Sequence, residues 1–153
     1  MKILLPVDGS ELSLHEVRFA LKLVREGLQA NFLLVNVQEP SSLYEIVTWP
    51  DPDVRAKGSR AAGEDALQPA VTLLRDAGVV CETEVVTGDP AHAVVDLIEE
   101  HGCDMVILGT RGAGPVLSLL QGSVAQSLLQ DSPVPVLLVK SPEEEAPLPS
   151  DAA

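Results

Sequence analysis

"KILLPVDGSELSLHEVRFALKLV", residues 2–24, changes its hydrophobic period in the middle, and that change decides the fold. Lys2 to Val7 is an apolar run of strand length that stops at Asp8-Gly9-Ser10. Beyond the turn, Leu14, Val17, Leu21, Val24 and Leu28 recur at steps of three and four, the spacing of one buried helix face. Ser10 is placed to cap that helix, and Glu11 suits its electropositive start. A strand that passes through a tight turn into a helix is the first half of a βαβ unit.

The same alternation continues along the chain. Asn31 to Gln38 reads as a second strand, Val80 to Val86 as a third, Asp104 to Leu108 as a fourth and Val134 to Lys140 as a fifth. The segment 39–52, "EPSSLYEIVTWPDP", carries prolines and serines that predict an irregular loop, though an unusually apolar one. Val54 to Ala77 is helical in pattern and closed by Gly78, with Pro69 expected to kink it or split it in two. Asp89 and Pro90 supply a cap and a first helical residue for a helix bearing Val94, Val95, Leu97 and Ile98. The expected class is therefore α/β: an open five-stranded parallel sheet with helices on both faces, Rossmann-like. Such sheets bind ligands beyond the carboxyl ends of their strands, near the reversal of strand order. The segments at that edge are 8–10, 37–53, 87–89 and 109–123.

Composition narrows the function. The 153 residues suit one domain, 46% hydrophobic but only 3% aromatic, so the core must be aliphatic. A formal net charge of -13 argues against sequence-independent binding to nucleic acid, which needs rows of Lys and Arg to meet phosphates, and against anionic membranes. No apolar run approaches the ~20 residues of a membrane span, and the run before Asp8 is too short for a signal peptide, so a cytoplasmic location is expected. Cys81 and Cys103 lack metal-ligand spacing and are expected to be reduced, buried small hydrophobes. His15, His92 and His101 have no partner at ligand spacing and are expected at the solvated surface. The end of the chain, 141–153, is proline-bearing and acidic and is expected to be disordered.

The sharpest local signal is "GTRGAGPVLSLLQGS", residues 109–123, directly after the fourth strand. Glycine lets the backbone approach an anion, and a helix starting at Gly122-Ser123 adds unsatisfied amide donors. No Walker lysine follows, and "GAG" at 112–114 lacks the third glycine of a dinucleotide fingerprint. Ser123 with Gln126 also reads as a capping box that needs no ligand, and Asp8 as a simple cap of the first helix.

Gly109-x2-Gly112-x9-Gly122-Ser123 reproduces the G-x2-G-x9-G-[S/T] signature of the ATP-binding branch of the universal stress protein family, and the chain resembles that family from Met1 to Lys140. The resemblance implies an adenine nucleotide alpha hydrolase-like fold, with residues 1–140 as its single domain. It also implies a cytosolic stress-response protein that binds ATP, with Mg²⁺ bridged by the phosphates rather than by a protein cage. Carried over by position, Asp8 would contact the nucleoside, with Pro6 and Val7 at the same edge, and the Val37 backbone would meet the adenine. Gly109, Thr110, Arg111 and Gly112 would follow the ribose and first phosphate, and Gly122, Ser123 and Val124 the outer phosphates. Arg111 is the only cation in the motif, a departure from family members with basic residues between the second and third glycines. No general base or phosphate-clamping lysine is visible, so any hydrolysis should be slow. The alternatives are an interaction scaffold of the same fold without nucleotide, and a weak nucleotide hydrolase. The fifth strand, "VPVLLVK", is apolar on both faces and expected at a sheet edge, where 134–140 would pair with a second copy. Tyr44, Ile46, Val47 and Trp49 would form a lid, a packing cluster or a partner contact.

Overall fold

The computed structural model describes residues 1–110 and 123–140. The elements run β1 (Lys2–Pro6), α1 (Glu11–Arg25), β2 (Asn31–Gln38), α2 (Leu43–Thr48), α3 (Pro52–Asp76), β3 (Cys81–Thr87), α4 (Pro90–His101), β4 (Met105–Thr110), α5 (Ser123–Asp131) and β5 (Val136–Lys140). All pairings are parallel and the strand order is β3-β2-β1-β4-β5, so the expected α/β class holds.

Strand alternation sorts the core into two layers. Ile3, Leu5, Phe32, Leu34 and Ile107 point to one face and pack with Val17, Ala20 and Leu21 of α1 and with Leu67, Ala70 and Leu74 of α3. Leu4, Leu33, Val35, Val106 and Leu108 point to the other and pack with Val94, Leu97 and Ile98 of α4 and with Ala125 and Leu128 of α5. Each Val, Leu, Ile or Phe side chain so buried stabilises by roughly 1.5–3 kcal/mol relative to exposure. The chain leaves β1 toward β2 and β3, then returns through α4 to β4 on the opposite side of β1. The two connections diverge between β1 and β4, which opens a crevice at their carboxyl ends.

Several expectations need correction. The segment 39–52 is not irregular throughout, because Leu43–Thr48 forms α2. Ser42 Oγ accepts from the Glu45 amide at 3.2 Å, and Glu45 Oε2 accepts from the Ser42 amide at 2.6 Å, a reciprocal cap that satisfies two orphan donors. Pro69 does not split α3, which runs through it as one helix of 25 residues. The missing hydrogen bond and ring clash cost ~3 kcal/mol, and burial of Leu67, Ala70 and Leu74 on either side offsets that. Gly109 and Thr110 belong to β4 rather than to the following loop, pairing with Val139 and Lys140. β5 does lie at the sheet edge, though it starts at Val136. His101 is not a solvated residue: its side chain is 17% exposed, with Nε2 3.4 Å from Glu84 Oε1. Cys103 is buried but Cys81 is half-buried, and both are free. Arg111, Gly112, Gly122 and the tail 141–153 lie outside the described residues, as does the Ser123 side chain.

Candidate functional site

Where β1 and β4 part, their ends enclose a cleft of about 220 Å³. Pro6, Val7 and Asp8 continue β1 into it, Val35, Asn36 and Val37 of β2 and Leu108 and Gly109 of β4 line its base, and the first two turns of α1 form one wall. Pro90 and Val94 of α4 and Val124 of α5 stand opposite. Six of the residues picked from the sequence thus meet in one place: Pro6, Val7, Asp8, Val37, Gly109 and Val124. Thr110 follows Gly109 in β4 and does not line the cleft. Ser123 opens α5 beside Val124. The remaining three, Arg111, Gly112 and Gly122, lie outside the described residues.

Local chemistry explains the shape of the β1–α1 turn. Gly9 takes a φ of 86°, a left-handed conformation costly for other residues. Asp8 Oδ1 accepts from the Ser10 amide at 2.8 Å and from Ser13 Oγ at 2.9 Å. Ser13 Oγ also lies 3.0 Å from the Ser10 carbonyl and 3.3 Å from the Asp8 amide, so the turn is closed on itself. Burial pushes the Asp8 carboxyl up, but the hydrogen bonds from Ser10 and Ser13 together outweigh that and hold it below the ordinary carboxylate range. Asp8 therefore braces the turn, while Ser10 is the helix cap, its side chain accepting from the Ser13 amide.

Sequence reasoning passed over two polar residues that the fold buries here. Asn36 donates from Nδ2 to the Val7 carbonyl at 2.8 Å and accepts from Gln38 at 2.6 Å, tying the ends of β1 and β2 together. Glu16 is 1% exposed; its Oε1 accepts from the Gly109 amide at 2.9 Å, and Oε2 is buried without a partner among the described residues. Burial drives the Glu16 carboxyl well above its ordinary value; the Gly109 amide opposes the shift and the nearby Asp8 charge adds to it. A signal for Glu16 existed. The buried stripe of α1 is Ser13, Glu16, Val17, Ala20 and Leu21, so the helical period placed two polar residues on the core face.

Gly109 has a packing role of its own. A Cβ there would come 3.1 Å from Leu12 Cγ and 3.3 Å from the Leu12 carbonyl oxygen, so α1 approaches β4 closely at this point and any larger residue would make Leu12 give way by a few tenths of an ångström, with or without a ligand. Tyr44, Ile46, Val47 and Trp49 do not line this cleft; all four are exposed, and Trp49 instead borders a second hollow between α2 and α3. Among the described residues no group of three His, Cys, Asp or Glu is placed to hold a metal ion, and no helix is long and apolar enough to cross a membrane.

An open parallel sheet of order 3-2-1-4-5 with a cleft at the point of reversal defines the doubly wound α/β class. Within it, residues 1–140 match the model of the universal stress protein family, to which this chain belongs. It is 30% identical to the universal stress protein YxiE of Bacillus subtilis, over 91% of this chain and 98% of that one. The fold matches that of a universal stress protein family member from Burkholderia pseudomallei at 25% identity and a TM-score of 0.71, covering 92% of this chain and 96% of that one. It also matches a universal stress protein solved in complex with cAMP at 26% identity and a TM-score of 0.67, covering 91% and 96%. Stress response is the role that family membership gives it.

Proposed function

We propose that this chain is a cytoplasmic, ATP-binding member of its family that holds an adenine nucleotide in the β1/β4 cleft and signals through its conformation or partners. The observation that carries the reading is the convergence of Asp8, Val37 and Gly109 on one cleft at the reversal of strand order. The relative in complex with cAMP supports adenine nucleotide as the ligand class. The described walls enclose less than the ~300–1,000 Å³ typical of small-molecule sites. That is the expected result if they hold the nucleoside end and the phosphates extend along 109–123, with Gly112, Gly122, Ser123 and Val124 as their donors and Arg111 as the nearby cation.

In that arrangement the Asp8 hydrogen bonds fall on Oδ1, leaving Oδ2 for a ribose hydroxyl. The Val37 backbone would meet the adenine edge, and Pro6, Val7 and Val94 would supply apolar contact. Mg²⁺ would ride on the phosphates, keeping several of its waters. Glu16, buried and bonded to a main-chain amide, is not placed as a general base, so hydrolysis would be slow. The exposed Leu43, Tyr44 and Val47 of α2 favour a second reading, a scaffold that engages a partner without nucleotide.

Calorimetry with Mg-ATP and with cAMP separates the two, together with native mass spectrometry of gently purified protein. Micromolar binding that Asp8→Ala weakens by about 10-fold or more, the worth of a hydrogen bond to a charged group, is the expected result. No heat with either ligand and no co-purified nucleotide would leave the scaffold.

A further inference from the structure

Glu16 is the unexplained group in this cleft. It projects from the second turn of α1, behind the Asp8 turn, and lines the cleft with Ser13 and Leu12. One oxygen holds the amide of Gly109, the first glycine of the 109–123 stretch, at 2.9 Å. The other has no partner among the described residues although it is fully buried. Buried carboxylate oxygens are normally bonded, and one left bare as an anion is strongly disfavoured. Among the described residues the groups facing it include no compensating cation. Asp8 from the end of β1 is negative, and its charge acts on Glu16. β4 offers the neutral Gly109 amide, and the Leu12 side chain and carbonyl pack against that glycine. Of the other ionisable side chains near it on α1, His15 lies 3.1 Å from the Lys140 carbonyl of β5, and Arg18 is 3.8 Å from Glu11 and shares a surface groove with Asp65 of α3.

We propose that Glu16 is a proton-carrying positioning residue of the nucleotide cleft: protonated on Oε2 it holds Gly109 in place beside an anionic ligand, and loss of that proton weakens ligand binding. The inference rests on the nucleotide reading above and adds its regulation. The physics is direct. An ionised Glu16 would set a second carboxylate beside Asp8 in a low-dielectric wall, next to the path of the phosphates, and each further negative charge there repels an anion. An anionic ligand would likewise favour the protonated form, so binding takes up a proton wherever the ligand-free Glu16 has begun to ionise. The burial that raises its carboxyl moves this event from the acid range toward neutrality.

The test uses cAMP as probe, because its phosphodiester keeps one fixed charge, whereas the terminal phosphate of ATP titrates near a pKa of about 6. Affinity is measured by calorimetry from pH 5 to pH 9 for the wild type and for Glu16→Gln, which keeps the acceptor for Gly109 and cannot ionise. Separately, ¹³C spectra of carboxyl-labelled, ligand-free protein follow Glu16 through its titration, the signal missing from Glu16→Gln giving its assignment. The expected wild-type Kd is flat at the acid end and then rises by up to 10-fold per pH unit above the Glu16 titration, as one linked proton requires. Glu16→Gln should hold the low-pH affinity throughout. Titration of Glu16 together with the ordinary carboxylates, or parallel pH profiles for the two proteins, would overturn the proposal. Binding of neither cAMP nor Mg-ATP at any pH would overturn the nucleotide reading and the linkage with it, while the ¹³C titration still decides by itself whether Glu16 keeps its proton.

Discussion

Asp8 and Glu16 are two carboxylates of one cleft with opposite fates, and the difference lies in their partners. Asp8 meets a backbone amide and a hydroxyl, so its anion is favoured; Glu16 meets one amide and then only burial and a like charge. Their effects on stability carry opposite signs. A carboxyl held below its unfolded value contributes stability above that value and loses it as pH falls through the folded pKa. Asp8→Asn should therefore lower the urea midpoint at pH 7, with the gap from wild type closing as the solution is acidified below the ordinary carboxylate range. Glu16, raised in the folded state, binds its proton more tightly folded than unfolded. Its stabilising effect is complete below the unfolded pKa of about 4.3 and is lost as pH rises through the folded pKa. Glu16→Gln should then match the wild type near pH 4 and exceed it increasingly at higher pH; urea midpoints that stay level across that range would refute this. Asp8 was legible from its place at a strand end, whereas Glu16, though the helical period put it on the buried face of α1, was passed over because only the docked helix shows that a charged residue there is buried.

At the scale of elements, close approach is what positions the cleft. α3 lies against β2 and β3 through Gly63, where an added Cβ would run into the Val85 side chain and come 3.0 Å from Asn36 Oδ1. Since Asn36 also holds the Val7 carbonyl, pressure at Gly63 bears on the cleft itself. Gly63→Ala should cost about 1–3 kcal/mol by overpacking, read from denaturant unfolding, even though alanine is the better helix former. The cap of α2 is a separate case. Ser42→Ala removes one half of the reciprocal cap and should cost about 1 kcal/mol of local helix stability; because α2 buries no side chain, the loss should appear as faster amide exchange in 43–48 with global unfolding unchanged. The S-x-x-E pattern at 42–45 was present in the sequence but was masked by flanking prolines at 40 and 50, which bound the helix instead of forbidding it. The unbroken α3 misleads in the opposite direction, since a local penalty at Pro69 is outweighed by burial contacts no local pattern contains.

For the whole molecule, net charge and the sheet edge are the governing features. A charge of -13 repels an anionic nucleotide over a screening length of ~8 Å at physiological salt. Raising salt from low to physiological ionic strength should accordingly tighten Mg-ATP and cAMP binding, the reverse of what a basic site shows; weakening with salt would point to a dominant local cation. β5 leaves one side unpaired at the edge of the sheet, and its residues are mostly half-buried in the single chain. Pairing of 134–140 with a second copy would cover that edge, and sedimentation equilibrium at tens of micromolar should give twice the 16.2 kDa chain mass. A single-chain mass at that concentration would refute the dimer.

The sequence by itself determined the strands, four of the five helices, the parallel α/β class and the edge to which a ligand would come, because hydrophobic period and turn chemistry are local properties written along the chain. Tertiary structure alone decided that Glu16 lies inside the cleft wall, that Leu12 packs closely over Gly109, and that Gly63 sets how near α3 stands to Asn36. Those outcomes depend on which residues meet across the β1–β4 reversal, and contacts between segments distant along the chain have no local signature.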